Sequence, residues 1–366
     1  MRTIALALLL VSLVTVLAQP ASAQEPHHYV CYGAAGPITI DGKLDEPSWQ
    51  RAPKTNPFVD IVGDVNPKPR FETRAMMLWD DTYFYVAADM EEPDVWGTLT
   101  ERDAIIYLDS DFEVFIDPNG DTFEYYELEI NALNTVMDLF MDKPYSEGGD
   151  YDLAWDIEGL KHAVHINGTL NHPGDVDQGW SVEIAFPWEV LAEYAHKPAP
   201  PNDGDWWRVN FSRVEYPFAL VDGEYQSAGV PDNWVWSPQG RVAMHIPEMW
   251  GFVDFSTEHP TAVEEATQTL PLPLRFALSQ NLPNPFNART VIGYEVPETG
   301  AARLCVYDVA GQRVRTLVDA QRSAGTHSVA WDGRDAAGRE AASGVYLYRL
   351  EVEGQRVQTR RMVLLR

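Results

Sequence analysis

The chain has 366 residues, more than one hydrophobic core usually organises, so at least two domains are expected. Its 55 acidic residues against 27 basic ones leave a net charge of −28, a field that repels phosphate backbones and argues against nucleic acid as a partner. The only cysteines, Cys31 and Cys305, fall in what read as different domains, so no disulfide framework is expected to hold the fold.

In chain order, Arg2, the apolar run from Ile4 to Leu17 and the small-x-small triplet Ala21-Ser22-Ala23 have the order of a cleaved signal peptide spanning residues 1–23. The apolar run is shorter than the roughly 20 residues needed to span a bilayer. Export through the periplasm to the extracellular space or outer cell surface is therefore expected, with no transmembrane anchor after cleavage. ITIDGKLDEPSW, Ile38 to Trp49, reads as a leading strand, a tight turn at Asp41-Gly42 and an anchoring tryptophan. Phe71 to Trp79 and Tyr83 to Met90 are β-rich runs joined by Asp80-Asp81-Thr82, the pattern of a hairpin.

Asp111 to Asp117 alternates Phe112, Val114 and Ile116 with Asp111, Glu113, Phe115 and Asp117, and Pro118-Asn119-Gly120 supplies a turn. On the return strand Tyr126, Leu128 and Ile130 share one face, and Tyr125, Glu127, Glu129 and Asn131 the other. An apolar sheet face thus backs an acidic, aromatic outer one. Further strands are expected at Lys161 to Asn167, Gly179 to Phe186, Trp206 to Glu215 and Trp250 to Phe255, with one short helix starting at Pro187. Many short strands and few helices predict an all-β sandwich.

Ile38 to Trp49, LWDDTYFYVAADMEEP (Leu78 to Pro93) and DFEVFIDPNGD (Asp111 to Asp121) together resemble the family 9 carbohydrate-binding modules. The resemblance implies a family 9-like (DOMON-like) antiparallel β-sandwich over residues 24–256, usually an accessory of secreted polysaccharide-degrading enzymes. Residues 257–274 are polar, acidic and proline-punctuated, a linker by composition. From Arg275 on there are 13 Arg and no Lys against 9 acidic residues, whereas the preceding part holds 14 basic and 46 acidic ones. The segments NLPNPFNARTVIGYEVP (Asn281 to Pro297), LCVYDVAGQRVRTLVD (Leu304 to Asp319), HSVAWDGRDAAGRE (His327 to Glu340) and RRMVLLR (Arg360 to Arg366) resemble type 9 secretion sorting domains and the Ig-like domains of flagellar hook-capping proteins. That resemblance implies a small Ig-like β-sandwich over 275–366 which engages secretion machinery.

A sugar site needs flat aromatic faces for the C–H side of a pyranose, ringed by groups that hydrogen-bond its hydroxyls. Of 12 tryptophans, Trp49, Trp79, Trp180, Trp188 and Trp207 sit in strand or turn contexts and read as core. The family's first stacking aromatic corresponds to Tyr107, with Trp96 on the same loop as a substitute. Its strand glutamate corresponds to Glu113. Where the family has an arginine this chain has Glu129, followed by Asn131. The second stacking position falls at Met244 or His245, and NWVWSPQG (Asn233 to Gly240) offers Trp234 and Trp236 nearby. The resemblance implies noncatalytic capture of a polysaccharide or oligosaccharide in carbohydrate catabolism.

Two other readings rest on the same residues. Glu113 and Glu129 on adjacent strands could form a glycosidase acid and base pair. Met90, Met244 and His245 could ligate iron in a haem-binding redox domain of this sandwich type. Asp117, Asn119 and Asp121 alternate through a tight turn like the start of a calcium loop, and equally like a hairpin turn of Asx residues. Calcium is thus the one cofactor expected.

Overall fold

The computed structural model describes residues 26–63, 67–259, 276–278, 280–281, 284–287, 289–352 and 356–366. The expected signal peptide and nearly all of the expected linker lie outside them. No helix among the described residues is long and apolar enough to cross a membrane.

Residues 28–256 build a 13-stranded sheet that folds over on itself as two layers. One layer runs through Val136–Met141, Tyr125–Asn131, Asp111–Asp117, Trp206–Glu215 and Gly251–Ser256. The other runs through Thr73–Trp79, Tyr83–Glu91, Gly179–Pro187 and Lys161–Asn167. His28–Gly33 joins them, pairing parallel with Gly251–Ser256 on one side and with Thr73–Trp79 on the other. The expected alternation sets the layers face to face. Phe112, Val114, Ile116, Tyr126, Leu128 and Ile130 meet Ala75, Met77, Val86, Val182 and Ile184 in one core. The single helical turn Trp188–Leu191 follows Pro187 and buries Trp188 and Leu191 against that core.

The motif at Ile38 to Trp49 forms no strand; the leading strand is His28–Gly33 instead. The reason is that a side chain, and not a ladder, satisfies its backbone. Glu183 Oε2 accepts the N–H groups of Asp41 (2.9 Å) and Gly42 (2.8 Å), while Oε1 accepts the indole N–H of Trp49 (2.6 Å). Ile38, Ile40, Leu44 and Trp49 then cover the outside of the second layer in a separate apolar cluster with Leu78, Tyr85 and Ala87. Gly42 is required here: its φ is +83°, and a Cβ would lie 2.5 Å from the backbone nitrogen of His165 on the neighbouring strand.

The C-terminal part is a smaller sandwich. Ala277–Leu278, Thr290–Val296 and Gly325–Trp331 make one sheet, and Arg313–Arg322, Gly300–Tyr307, Gly344–Val352 and Arg356–Leu364 the other. Ile292, Tyr294, Leu304, Val306, Trp331, Tyr348 and Leu350 fill the space between them. Cys31 and Cys305 are both buried, unpaired thiols.

Glu183 is fully buried, which pushes its pKa up to about 7, and each of its three hydrogen bonds runs to a carboxyl oxygen, a kind worth about 1.5–3 kcal/mol once the group is ionised. Glu183→Ala should therefore lower unfolding stability by about 3 kcal/mol or more, read from urea or thermal unfolding. Glu183→Gln should cost less but still measurably, because an amide turns a donor toward groups that need an acceptor. A loss under about 1 kcal/mol in the alanine variant would mean that packing alone holds the motif.

Candidate functional site

The outer face of the first layer carries the residues that the alternation turns away from the core. Asp111, Glu113, Phe115 and Asp117 lie beside Tyr125, Glu127, Glu129 and Asn131, with Glu113 directly opposite Glu129 and Phe115 opposite Glu127. Arg208, Asn210 and Ser212 extend the face on the next strand. Phe115, Tyr125, Met137, Leu139, Met141 and Trp250 form an apolar floor at one end. Trp250 is fixed by its indole N–H donating to the Met244 carbonyl (2.8 Å).

His245 crosses this floor. It stands edge-on to Phe115 and Tyr145, its Nδ1 is 2.9 Å from the Tyr125 hydroxyl, and its Nε2 is 3.6 Å from Glu127. Burial pushes its pKa down to about 4. Three tyrosines form the solvent side. Tyr107, Tyr145 and Tyr151 are 46%, 49% and 50% exposed, and Tyr145 lies within electrostatic range of Glu127, Tyr107 and Tyr151. The backbone N–H of Tyr107 donates to Glu129 Oε2 (2.9 Å), tying this rim to the sheet.

Beneath the rim the carboxylates are crowded and dry. Asp111, Glu113, Glu127 and Glu129 are each at most 5% exposed. Burial pushes Glu113 up to about 7 and Glu127 up to about 8; for Glu127 the charge of Glu113 adds to the effect. Asp111 and Glu129 are also raised, by burial first and then by neighbouring carboxylates.

Of the residues expected to bind sugar, the structure brings Tyr107, Glu113 and Glu129 to this face. Trp96, Trp234 and Trp236 are corrected: they are 3%, 2% and 1% exposed and cannot stack on a ligand. Trp96 stacks on Tyr225 at 6.1 Å, Trp234 packs edge-on to Phe71 below the guanidinium of Arg213, and Trp236 packs against Phe211 and Tyr29. Asn131 is corrected too. Its amide donates to Leu99 O (2.9 Å) and Asp109 Oδ2 (3.0 Å), and its oxygen accepts the N–H groups of Leu133 and Thr135, so it braces the loop that carries Tyr107.

At the expected calcium loop the oxygens turn inward. Asp117 accepts the N–H groups of Gly120 (2.7 Å) and Thr122 (2.8 Å), Asn119 that of Asp121, and Asp121 that of Phe123, which is the Asx-turn arrangement. The three residues expected to ligate iron are separated: Met90 belongs to the core between the layers, whereas Met244 and His245 lie on the outer face.

Tyr145 and Tyr151 were not among the expected residues. Their signal is present in PYSEGGDYD, two aromatics in a Gly- and Asp-rich loop that follows the Val136–Met141 strand, itself also unexpected.

Residues 40–201 match the family described as carbohydrate family 9 binding domain-like, and residues 287–356 match the FlgD Ig-like domain. The chain thus joins a domain similar to that carbohydrate-binding family to a small Ig-like domain. Over 177 residues, 48% of this chain, it is 27% identical to an exoglucanase XynX of Acetivibrio thermocellus, and over 157 residues, 43% of this chain, 27% identical to an endo-1,4-beta-xylanase A of Thermoanaerobacterium saccharolyticum. It spans only 13% and 11% of the length of those relatives. Among solved structures, a carbohydrate-binding module family 9 from Caldicellulosiruptor kristjanssonii in complex with cellotriose aligns at 15% identity with a TM-score of 0.43, covering 66% of this chain and 99% of that one. A putative carbohydrate-binding protein from Bacteroides uniformis aligns at 17% identity with a TM-score of 0.47, covering 63% and 99%.

The carboxylate face sets a pH dependence. A carboxyl raised in the folded state contributes stability that is complete below its unfolded value, about 4.3 for glutamate, and lost as pH rises through the folded one. For Glu113 and Glu127 that loss runs upward from about 4.3 and is complete once the pH has passed about 7 and 8. His245 runs the other way, losing its contribution as pH falls from about 6.5 through about 4. The carboxylates outnumber it, so in chelator-treated buffer the melting midpoint should fall by several degrees from about pH 5.5 to about pH 8.5. A midpoint that climbs across that interval would contradict the picture of a dry, crowded carboxylate face.

Proposed function

We propose that this protein captures carbohydrate without cleaving it, on the rim formed by Tyr107, Tyr145 and Tyr151. The observation that carries the reading is three half-exposed aromatic rings, Tyr145 standing within electrostatic range of Tyr107 and Tyr151, in a domain that matches a carbohydrate-binding family. Half-exposed rings offer the flat, weakly polar faces on which a pyranose stacks, and their phenolic hydroxyls can bond its hydroxyls. Glu113 and Glu129 do not favour the hydrolytic alternative. Both are sealed from solvent, so a glycosidic bond has no room between them. The activities named for the curated relatives make xylan and glucan the first ligands to try, and a role in carbohydrate catabolism follows if either binds.

We further propose that the protein works outside the cell or on its outer surface, and that the Ig-like domain serves delivery or surface attachment and not sugar binding. Residues 1–23 support export, and the charge reversal from Arg275 onward gives the second domain a surface unlike the first. The arginine-rich ending at Arg360, Arg361 and Arg366 supports engagement of a secretion apparatus of the type 9 class.

Titrating the purified chain with xylo- and cello-oligosaccharides tests the first proposal. Tyr107→Ala and Tyr145→Ala should each weaken binding by roughly 1 to 3 kcal/mol and leave the melting midpoint nearly unchanged, because a truncated rim aromatic loses contact area with ligand and little with protein. Trp234→Ala should instead lose folding first. Equal affinity in wild type and both tyrosine variants would move the sugar site off this face. Reducing-end release by the wild type, abolished in Glu113→Gln, would establish the hydrolytic reading.

Truncation before Arg275 in the native host tests the second. The shortened protein should accumulate in the periplasm while still binding its glycan, and unchanged surface delivery would reduce the Ig-like domain to a spacer.

A further inference from the structure

We propose that Asp111, Glu113 and Glu129 form a binding site for a divalent cation of the calcium class on the outer sheet face. Each offers an oxygen, and the three oxygens lie within 4.8 Å of one another. Two oxygens each about 2.4 Å from a shared calcium ion are at most about 4.8 Å apart, so the spacing stays within the limit for one shared ion.

Two observations separate this cluster from an ordinary acidic patch. Asp111 Oδ2 and Glu113 Oε2 are sealed from solvent and have no hydrogen-bond partner, although their residues are 0% and 5% exposed. Oxygens buried in that way cost free energy unless something positive meets them. Among the described residues, no lysine or arginine pairs with Asp111, Glu113 or Glu129. The second acidic group of similar geometry, Asp103, Asp138 and Asp156, shows the contrast. There Arg102 reaches all three carboxylates, at 2.7 Å for Asp156 and 3.7 Å for Asp103, so a protein cation already meets the cluster.

The backbone prepares the cluster for a cation. The Val214 N–H holds Asp111 Oδ1 (3.2 Å) and the Tyr107 N–H holds Glu129 Oε2 (2.9 Å), which fixes both side chains and leaves Asp111 Oδ2 aside from these bonds. An all-oxygen donor set selects hard cations over zinc or copper, which prefer nitrogen and sulfur. Calcium tolerates an irregular carboxylate cage better than magnesium, which keeps its water and demands a regular octahedron.

The test uses the full chain, stripped with EDTA, near neutral pH, with calcium chloride alone as probe; it does not depend on the sugar reading. Calorimetry should show a site of about one equivalent that Asp111→Asn and Glu129→Gln each weaken by roughly tenfold or more, since affinity follows ligand charge. At about a hundredfold excess over the dissociation constant, the melting midpoint should rise by at least about 5 °C. Asp156→Asn, in the cluster closed by Arg102, should leave both readouts unchanged. Calcium binding that survives both Asp111→Asn and Glu129→Gln would place the ion elsewhere and overturn the proposal. So would a wild type that neither binds calcium nor gains thermal stability from it; the buried carboxyls would then be neutralised by shared protons. Should Asp111→Asn fail to fold, Glu113→Gln and the wild-type titration decide between the same outcomes.

Discussion

Four carboxylates side by side on a dry sheet face are the constraint around which the first domain is arranged. The two-residue period of a strand leaves no freedom in the matter. Once Phe112, Val114 and Ile116 enter the core with Leu128 and Ile130, Glu113, Glu127 and Glu129 must share the other side. Like charges directly opposite one another destabilise a strand pair, and burial amplifies the cost. The surrounding structure is consistent with holding such a face in place: Asn131 and Asp109 brace the loop above it, Trp250 and Phe115 wall one end, and His245 stays neutral between two tyrosines.

The parts legible in the sequence were those governed by local periodicity. Asp111–Asp117 and Tyr125–Asn131 have the bounds expected of them, with the expected residues on each face, because alternation reports burial directly. Tyr107 was reached by another route, as the position that the family resemblance matches to a stacking aromatic. What stayed illegible depends on contacts between distant segments. Trp96 looks like a loop aromatic until the hairpin at residues 218–227 brings Tyr225 over it, and Trp234 and Trp236 lie beside a turn-rich segment yet face the core. Asn131 has the right polarity for a ligand, and only the return of residues 98–109 shows that its hydrogen bonds are already spent. The stretch Ile38 to Trp49 was recognised by its composition, but its conformation is dictated by Glu183, more than 130 residues away along the chain.

A feature of the sheet order bears on how such a domain comes to exist at all. His28–Gly33, the first strand, sits at the middle of the assembled sheet and pairs with Gly251–Ser256, the last. Neither layer can be joined to the other until both ends of the domain are in hand, and closing so long a loop is slow. A nascent chain therefore has to keep two half-sheets with open edges apart from one another until residue 256 is available. Delayed closure leaves those edges open to wrong pairing for as long as the strand Gly251–Ser256 is missing.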